Sequence, residues 1–312
     1  MTVSILRTVD DWWVHTPTGA ARIATPATTT GELIADRTAI HAAIGSGETV
    51  PVENLDLIPP VTVPCRVVAQ MTNFASHVGD AGLDPKKIPL TFFRKSSGSI
   101  SGPHDDVVRP SHVRFLDYEA EIGLVMGQET PVGSVITNET IADHVAGLVI
   151  TNDISARDLQ LPKTQFYESK SYPSFTPTGP TLVLFDAEDW SRFGELRLRL
   201  WVNGEIRQDM TVADMIYLPV EALRALTRFQ LLNGTPCCPR AEHSLEFFLV
   251  QSCDEECLNR PLPKPRKPVR QDQVRVHCCQ STTIGPSASV TSTKAVEETA
   301  ERTEKSRPII AR

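Results

Sequence analysis

The stretch DYEAEIGLVMG, residues 117–127, puts two carboxylates, Glu119 and Glu121, two positions apart in a strand-like run. Successive strand side chains alternate between faces, so the two acids share one face while Tyr118, Ala120 and Ile122 take the other. Neighbouring carboxylates repel unless positive charge lies between them. A third acid, Asp153, ends the apolar run VAGLVITND. Three hard oxygen donors with no His or Cys beside them suit Mg2+ or Mn2+ with open water positions better than zinc. The same spacing also describes an edge strand with its acids in solvent, and E-x-E alone favours that plainer explanation.

In NFASHVGD, His77 and Asp80 stand three residues apart, one helical turn. A carboxylate that orients an imidazole makes a general base able to activate water. A surface His beside a capping Asp would look the same, and for an isolated H-x-x-D it is the commoner case. In TNDISARDLQ and the following ESKSYPSFTPTGP, Arg157, Gln160 and Lys170 could bind an anion and stabilise developing negative charge. Asp158 could equally pair with Arg157 and brace the loop.

These groups need elements to hold them, and the chain divides into three zones. Residues 1–60 hold TVDDWWVH, the Thr/Ala-rich ATPATTT and the helix-patterned GELIADRTAIHAAIGSG. They suggest a small leading domain or arm, with Trp12 and Trp13 available to pack it onto the core. Pro59, Pro60 and Pro64 mark a linker. Residues 64–236 carry short β-rich runs separated by Gly, Pro and Asp, with a helical pattern in TVADMIYLPVEALRALTRF. Asn203-Gly204 is the commonest signature of a tight hairpin turn. Many short strands with few helices predict a β-rich roll or sandwich, not a doubly wound parallel sheet. Residues 237–312 turn Pro-, Ser/Thr- and charge-rich and predict a largely disordered tail, SLEFFLVQ being the one strand-like run left.

Composition narrows the function classes. The chain has 312 residues and a net charge of -7, against a general nucleic-acid binder. No apolar run approaches the roughly 18–20 residues of a membrane helix, and the first residues lack the apolar core of a secretory signal. The expectation is a cytoplasmic protein. Six of its seven cysteines lie beyond residue 236; without a secretory signal a disulfide framework is not expected, and their spacings do not match paired zinc ligands.

Taken in order, NFASHVGD, PLTFFRKSSGSISG, DYEAEIGLVMG, VAGLVITNDISARDLQ, ESKSYPSFTPTGP, VNGEIRQDMTVADMIY and LLNGTP resemble the fumarylacetoacetate hydrolase family over residues 64–236. The resemblance implies a β-rich α+β fold, a mixed β-sandwich roll of this family's C-terminal-domain type, usually homodimeric. It implies Mg2+ or Mn2+ on Glu119, Glu121 and Asp153, and a small 2-oxo or 2,4-dioxo acid as substrate. The leading expectation is hydrolysis of a C–C bond. His77 would activate water, Asp80 would orient it and Lys170 would stabilise the enolate. Lys95 beside Ser96, Arg157, Gln160 and Thr235 would contact substrate. Decarboxylation or isomerisation on the same scaffold, or a catalytically impaired binding protein, are the alternatives. Many relatives carry Glu where this chain has the shorter Asp80. They also lead into the GTP turn through Pro-Gly-Asp and close with further strands, which this ending does not resemble.

Overall fold

The computed structural model describes residues 2–80, 82–163, 166–232 and 245–250. Its strands are β1 (Val3–Arg7), β2 (Trp12–Thr16), β3 (Gly19–Arg22), β4 (Cys65–Gln70), β5 (Phe92–Lys95), β6 (Ile100–Ser101) and β7 (Leu116–Asp117). There follow β8 (Ala120–Met126), β9 (Val145–Asn152), β10 (Ser155–Ala156), β11 (Thr176–Leu184), β12 (Arg197–Val202), β13 (Glu205–Thr211) and β14 (Leu245–Val250). One large mixed sheet runs β3-β2-β1-β11-β9-β8-β14-β4-β5. Short β6, just past β5, pairs in parallel with β11 and so brings the end of the path back to its middle. The strands from β11 to β6 therefore wrap into a roll, the predicted β-rich α+β architecture. That closure lets a side chain on β5 meet one at the end of β9, four strands away along the sheet.

Both faces of the sheet are covered, which is why every residue of β8 is buried. Ile122, Leu124 and Leu148 pack on one face against the β12–β13 ribbon and the helix Pro219–Thr227. Val67, Val125, Val149 and Leu182 on the other face join Ile5, Trp12, Leu33 and Ile40 from the first sixty residues. Trp12 lies inside this second core, its indole N–H donating to the Ala27 carbonyl at 2.9 Å. Trp13 points the other way, packing beside Leu6, Ala20 and Leu57. The helix Thr30–Ala35 opens with a Thr29/Glu32 capping box, so its first N–H groups have acceptors.

The hairpin between β12 and β13 forms as Asn203-Gly204 predicts, with positive φ at both residues (53° and 79°). Two expectations change. The helical pattern over 211–229 forms an α-helix only from Pro219; before it a 3-10 turn, Val212–Asp214, leads into residues 215–217, which pair instead with the segment around Asn73. SLEFFLVQ, inside the stretch predicted to be tail, supplies β14, parallel to β4 and antiparallel to β8. The place between those two strands is thereby filled. Thr235 lies outside the described residues, as do all cysteines but the buried Cys65. Among the described residues no helix is long and apolar enough to cross a membrane.

Candidate metal and acid–base site

The site grows out of one interrupted ladder. β8 and β9 pair with Ala120 opposite Asn152, and β7 and β10 pair with Asp117 opposite Ser155, in the same register. Between the two lies a local break. Asp153 N–H donates to the Glu119 carbonyl at 2.7 Å, whereas Glu119 N–H turns to the Asn152 side chain at 2.9 Å. Beyond β10, Arg157 N–H donates to the Phe115 carbonyl at 2.9 Å, still in register. Strand alternation then puts Asp117, Glu119 and Glu121 on one face, with Asp153 and Arg157 across from them. β8 lies between β9 and β14, not at an edge, and Glu119, Glu121 and Asp153 have no exposed surface. This overturns the solvent-facing edge strand that E-x-E alone favoured.

Oxygens of the three carboxylates lie within 4.8 Å of one another. Three cations thread between them. Lys170 Nζ donates to Glu119 Oε2 at 2.6 Å and to Asp153 Oδ2 at 2.5 Å. Lys95 Nζ contacts Asp153 Oδ1 and donates to the Phe175 carbonyl at 2.9 Å. The Arg157 guanidinium spreads over three acceptors: Asp117 Oδ2 at 2.8 Å, Gln160 Oε1 at 2.6 Å and Glu119 Oε1. Asp158, expected to brace the loop through Arg157, braces it otherwise: its carboxylate accepts the backbone N–H groups of Arg114 (2.9 Å) and Phe115 (3.4 Å). The buried guanidinium is drawn instead to the carboxylates that share its face.

Among the described residues the charges do not balance. Four buried carboxylates, Asp117, Glu119, Glu121 and Asp153, face three buried cations, Lys95, Arg157 and Lys170. The surplus falls on Glu121, neither of whose oxygens has a hydrogen-bond partner among those residues. Burial, then the nearby Asp153 and Glu119 charges, push its carboxyl well above the usual range. Burial pulls the Lys95 ammonium below the ordinary lysine value, Asp153 only partly opposing it. Burial would do the same to Lys170, but Asp153 and Glu119 outweigh it and hold this ammonium charged. An unpaired buried carboxylate beside two others is what a hard divalent cation resolves, so the residues present fit Mg2+ or Mn2+.

Residue by residue, the structure brings Glu119, Glu121, Asp153, Lys95, Arg157, Gln160 and Lys170 into one cluster. His77 and Asp80 lie on the helix Ala75–Asp80, their side chains outside the description. Three supporting groups are not marked by residue type in the sequence. Asp117 holds Arg157, Asn152 caps the Glu119 amide, and Gln208 on β13 accepts the Ala120 N–H at 2.8 Å. Asp117 was within reach, since the alternation that pairs Glu119 with Glu121 extends two residues back; nothing in the sequence marks Gln208. Phe93, two residues before Lys95 on β5, sets its ring 5.2 Å from Lys170 Nζ.

With this geometry in view, similarity to known proteins becomes informative. The family model described as fumarylacetoacetate (FAA) hydrolase C-terminal matches residues 66–238. A mitochondrial oxaloacetate tautomerase of Bos taurus is 30% identical over 217 residues, 67% of this chain and 67% of that protein. Its counterpart in Xenopus laevis is 31% identical over 192 residues, 59% of this chain and 58% of that one. The chain thus spans about three-fifths to two-thirds of the curated relatives it matches. Among solved structures, a probable 2-hydroxyhepta-2,4-diene-1,7-dioate isomerase from Mycobacterium abscessus is 30% identical, with TM-score 0.65 over 82% of this chain and 86% of that one. A fumarylacetoacetate hydrolase from Exiguobacterium antarcticum, 23% identical with TM-score 0.62 over 81% and 87%, shares the fold.

Proposed function

Because the chain belongs to the fumarylacetoacetate hydrolase family, whose members are enzymes, we propose that it enolises the 2-oxo end of a small 2-oxo or 2,4-dioxo acid. The observation that carries this is Glu121, a buried carboxylate without a hydrogen-bond partner among the described residues, beside Glu119 and Asp153. These three would hold Mg2+ or Mn2+, which when bound supplies Lewis-acid polarisation of a 2-oxo carboxylate. Lys170, kept charged, stabilises negative charge developing on the enolate oxygen. Lys95 holds Asp153 in place and borders the substrate, while Arg157 fixes Glu119. With its oxygen committed to Arg157, Gln160 has its amide nitrogen to offer a substrate acceptor. Thr235 meets the substrate in this reading. His77 moves the proton, oriented by Asp80.

Two reactions share this machinery. Tautomerisation or isomerisation needs only a proton taken from one atom of the substrate and returned to another. The names of the similar Bos taurus and Mycobacterium abscessus proteins favour it. C–C hydrolysis, the leading expectation from the motifs, asks His77 also to activate a water that attacks the distal carbonyl, the other fragment leaving as pyruvate enolate. Decarboxylation, or a catalytically impaired member acting as a binding protein, would use the same pocket. A homodimer in the cytoplasm, with a leading unit over 1–60, a catalytic domain over 64–236 completed by β14, and a tail after that strand, belongs to the same proposal.

The deciding experiment incubates the Mn2+-loaded protein with oxaloacetate and an acylpyruvate in deuterium oxide. Hydrolysis yields pyruvate and a second acid, and decarboxylation releases CO2. Tautomerisation leaves the carbon skeleton whole while deuterium enters at C3 faster than without enzyme. Glu121→Ala should abolish whichever is seen. If Mn2+ fails to bind, or Glu121→Ala changes nothing measured, the enzymatic reading falls.

A further inference from the structure

We propose that Asp214 is a positioning residue for the helix that carries His77, acting from a strap, residues 212–217, between the β12–β13 ribbon and the helix Pro219–Thr227. The proposal rests on the reading of His77 as the acid–base group of the site. The helix Ala75–Asp80 has only six residues, too few to be stable alone, and its first N–H groups need acceptors from elsewhere. Asp214 supplies one from 138 residues away. Its Oδ2 accepts the Ser76 backbone N–H at 3.0 Å and the Ser76 hydroxyl at 2.5 Å. The carboxylate thus caps the helix start from another element and sets negative charge at the positive end of its dipole.

The strap grips the chain before and after the helix as well. Asn73, fully buried, donates from Nδ2 to the Tyr217 carbonyl at 2.9 Å and accepts the Tyr217 N–H on Oδ1 at 2.8 Å. Ile216 N–H donates to the Asn73 carbonyl at 2.7 Å, and Phe74 pairs with Met215 as an isolated bridge. Past the far end of the helix, the Tyr217 hydroxyl donates to the Ile88 carbonyl at 2.5 Å. The strap itself is anchored by Val212 and Met215 in the core that packs on β8. A helix of six residues is thereby referenced to the sheet that carries Glu119 and Glu121. The pieces meet only in the fold, since Asp214 and Ser76 stand 138 residues apart in sequence.

The test compares Asp214→Ala, Asp214→Asn and Tyr217→Phe in the full-length, Mn2+-loaded protein. Hydrogen exchange followed by mass spectrometry should show faster exchange in a peptide covering residues 73–82, by about fivefold in Asp214→Ala, with β8 and β9 unchanged. Asn keeps an acceptor without the charge, so Asp214→Asn should recover part of the protection. The Mn2+ dissociation constant, read by electron paramagnetic resonance, should stay within about twofold. Turnover should lose about tenfold or more in kcat with KM little changed, since a misplacement of roughly 1 Å can cost a hundredfold. Unchanged exchange over 73–82 overturns the proposal. So does a joint fall of Mn2+ affinity and melting temperature, which would mean that Asp214 serves the whole fold. If the wild-type protein turns over neither acid, the proposed function fails by itself and the exchange result alone decides the anchoring role.

Discussion

An ionised carboxylate held from water without a partner destabilises the fold that holds it, and Glu121 is in that position. Its raised pKa means that the folded, metal-free protein binds a proton more readily than the unfolded chain. This contribution to stability is therefore full below the ordinary Glu range and is lost as pH rises through the raised pKa. Urea unfolding of metal-free protein between about pH 5 and pH 8 should show that downward slope. Saturating Mn2+ should reverse it, since the ligands must be deprotonated to bind. Glu121→Gln should stabilise the metal-free protein at neutral pH, because no buried carboxylate then has to be ionised, and remove the stabilisation by Mn2+. A variant less stable than the wild type without metal would show that Glu121 has a partner after all. The acids and lysines were legible from residue type and alternation. Which of them is left over was not, because the answer depends on where Lys95 and Arg157 end up.

At the scale of elements, the site depends on β8 and β9 keeping one register on both sides of the break at Glu119 and Asp153. Gly147 on β9 guards the neighbouring strand. A Cβ there would stand 2.1 Å from the Val183 carbonyl oxygen and 2.9 Å from the Leu184 Cα, both backbone atoms of β11 that cannot swing aside. Gly147→Ala should cost about 1–3 kcal/mol by chemical unfolding, as overpacking does in a close-packed interior. It should also weaken Mn2+ binding, because β9 leads directly into Asp153, one of the three proposed ligands. A neutral substitution would mean that β9 and β11 can separate. The sequence VAGLVITND announces the strand, but its glycine looks like any other until β11 is laid against it. The same limit explains the helix assigned to 211–229. Its apolar spacing suits a helix, yet before Pro219 the backbone groups of Ile216 and Tyr217 are spent on Asn73 instead.

Over the whole molecule, the roll depends on a strand beyond the last of the family's motifs. β14 pairs on both sides, with β4 and β8, and without it two long edges would lie open. Proline at position 248, opposite Val68 and Leu124, removes a ladder N–H from a central strand. Phe248→Pro should cost about 3 kcal/mol or more and drive aggregation, checked by thermal unfolding and light scattering. Wild-type stability in that variant would mean that β14 contributes little in solution. Metal loading gives a second check on the assembled molecule. Mn2+ with oxalate, an enolate mimic, at about 100 times its dissociation constant should add roughly 2.7 kcal/mol, a shift of several degrees.

The amino-acid sequence by itself determined the local facts: strand alternation that pairs Glu119 with Glu121, the Asn203-Gly204 turn, the run of motifs and the β-rich class. These follow from period, turn chemistry and residue type, all read within a dozen residues. Tertiary structure alone decided that β5 returns to the end of β9, that Glu121 rather than another acid is unpaired, and that Asp214 caps a helix 138 residues away. Each of these depends on which distant backbone passes within hydrogen-bonding distance. Sheet closure and burial set that, and no local pattern encodes it.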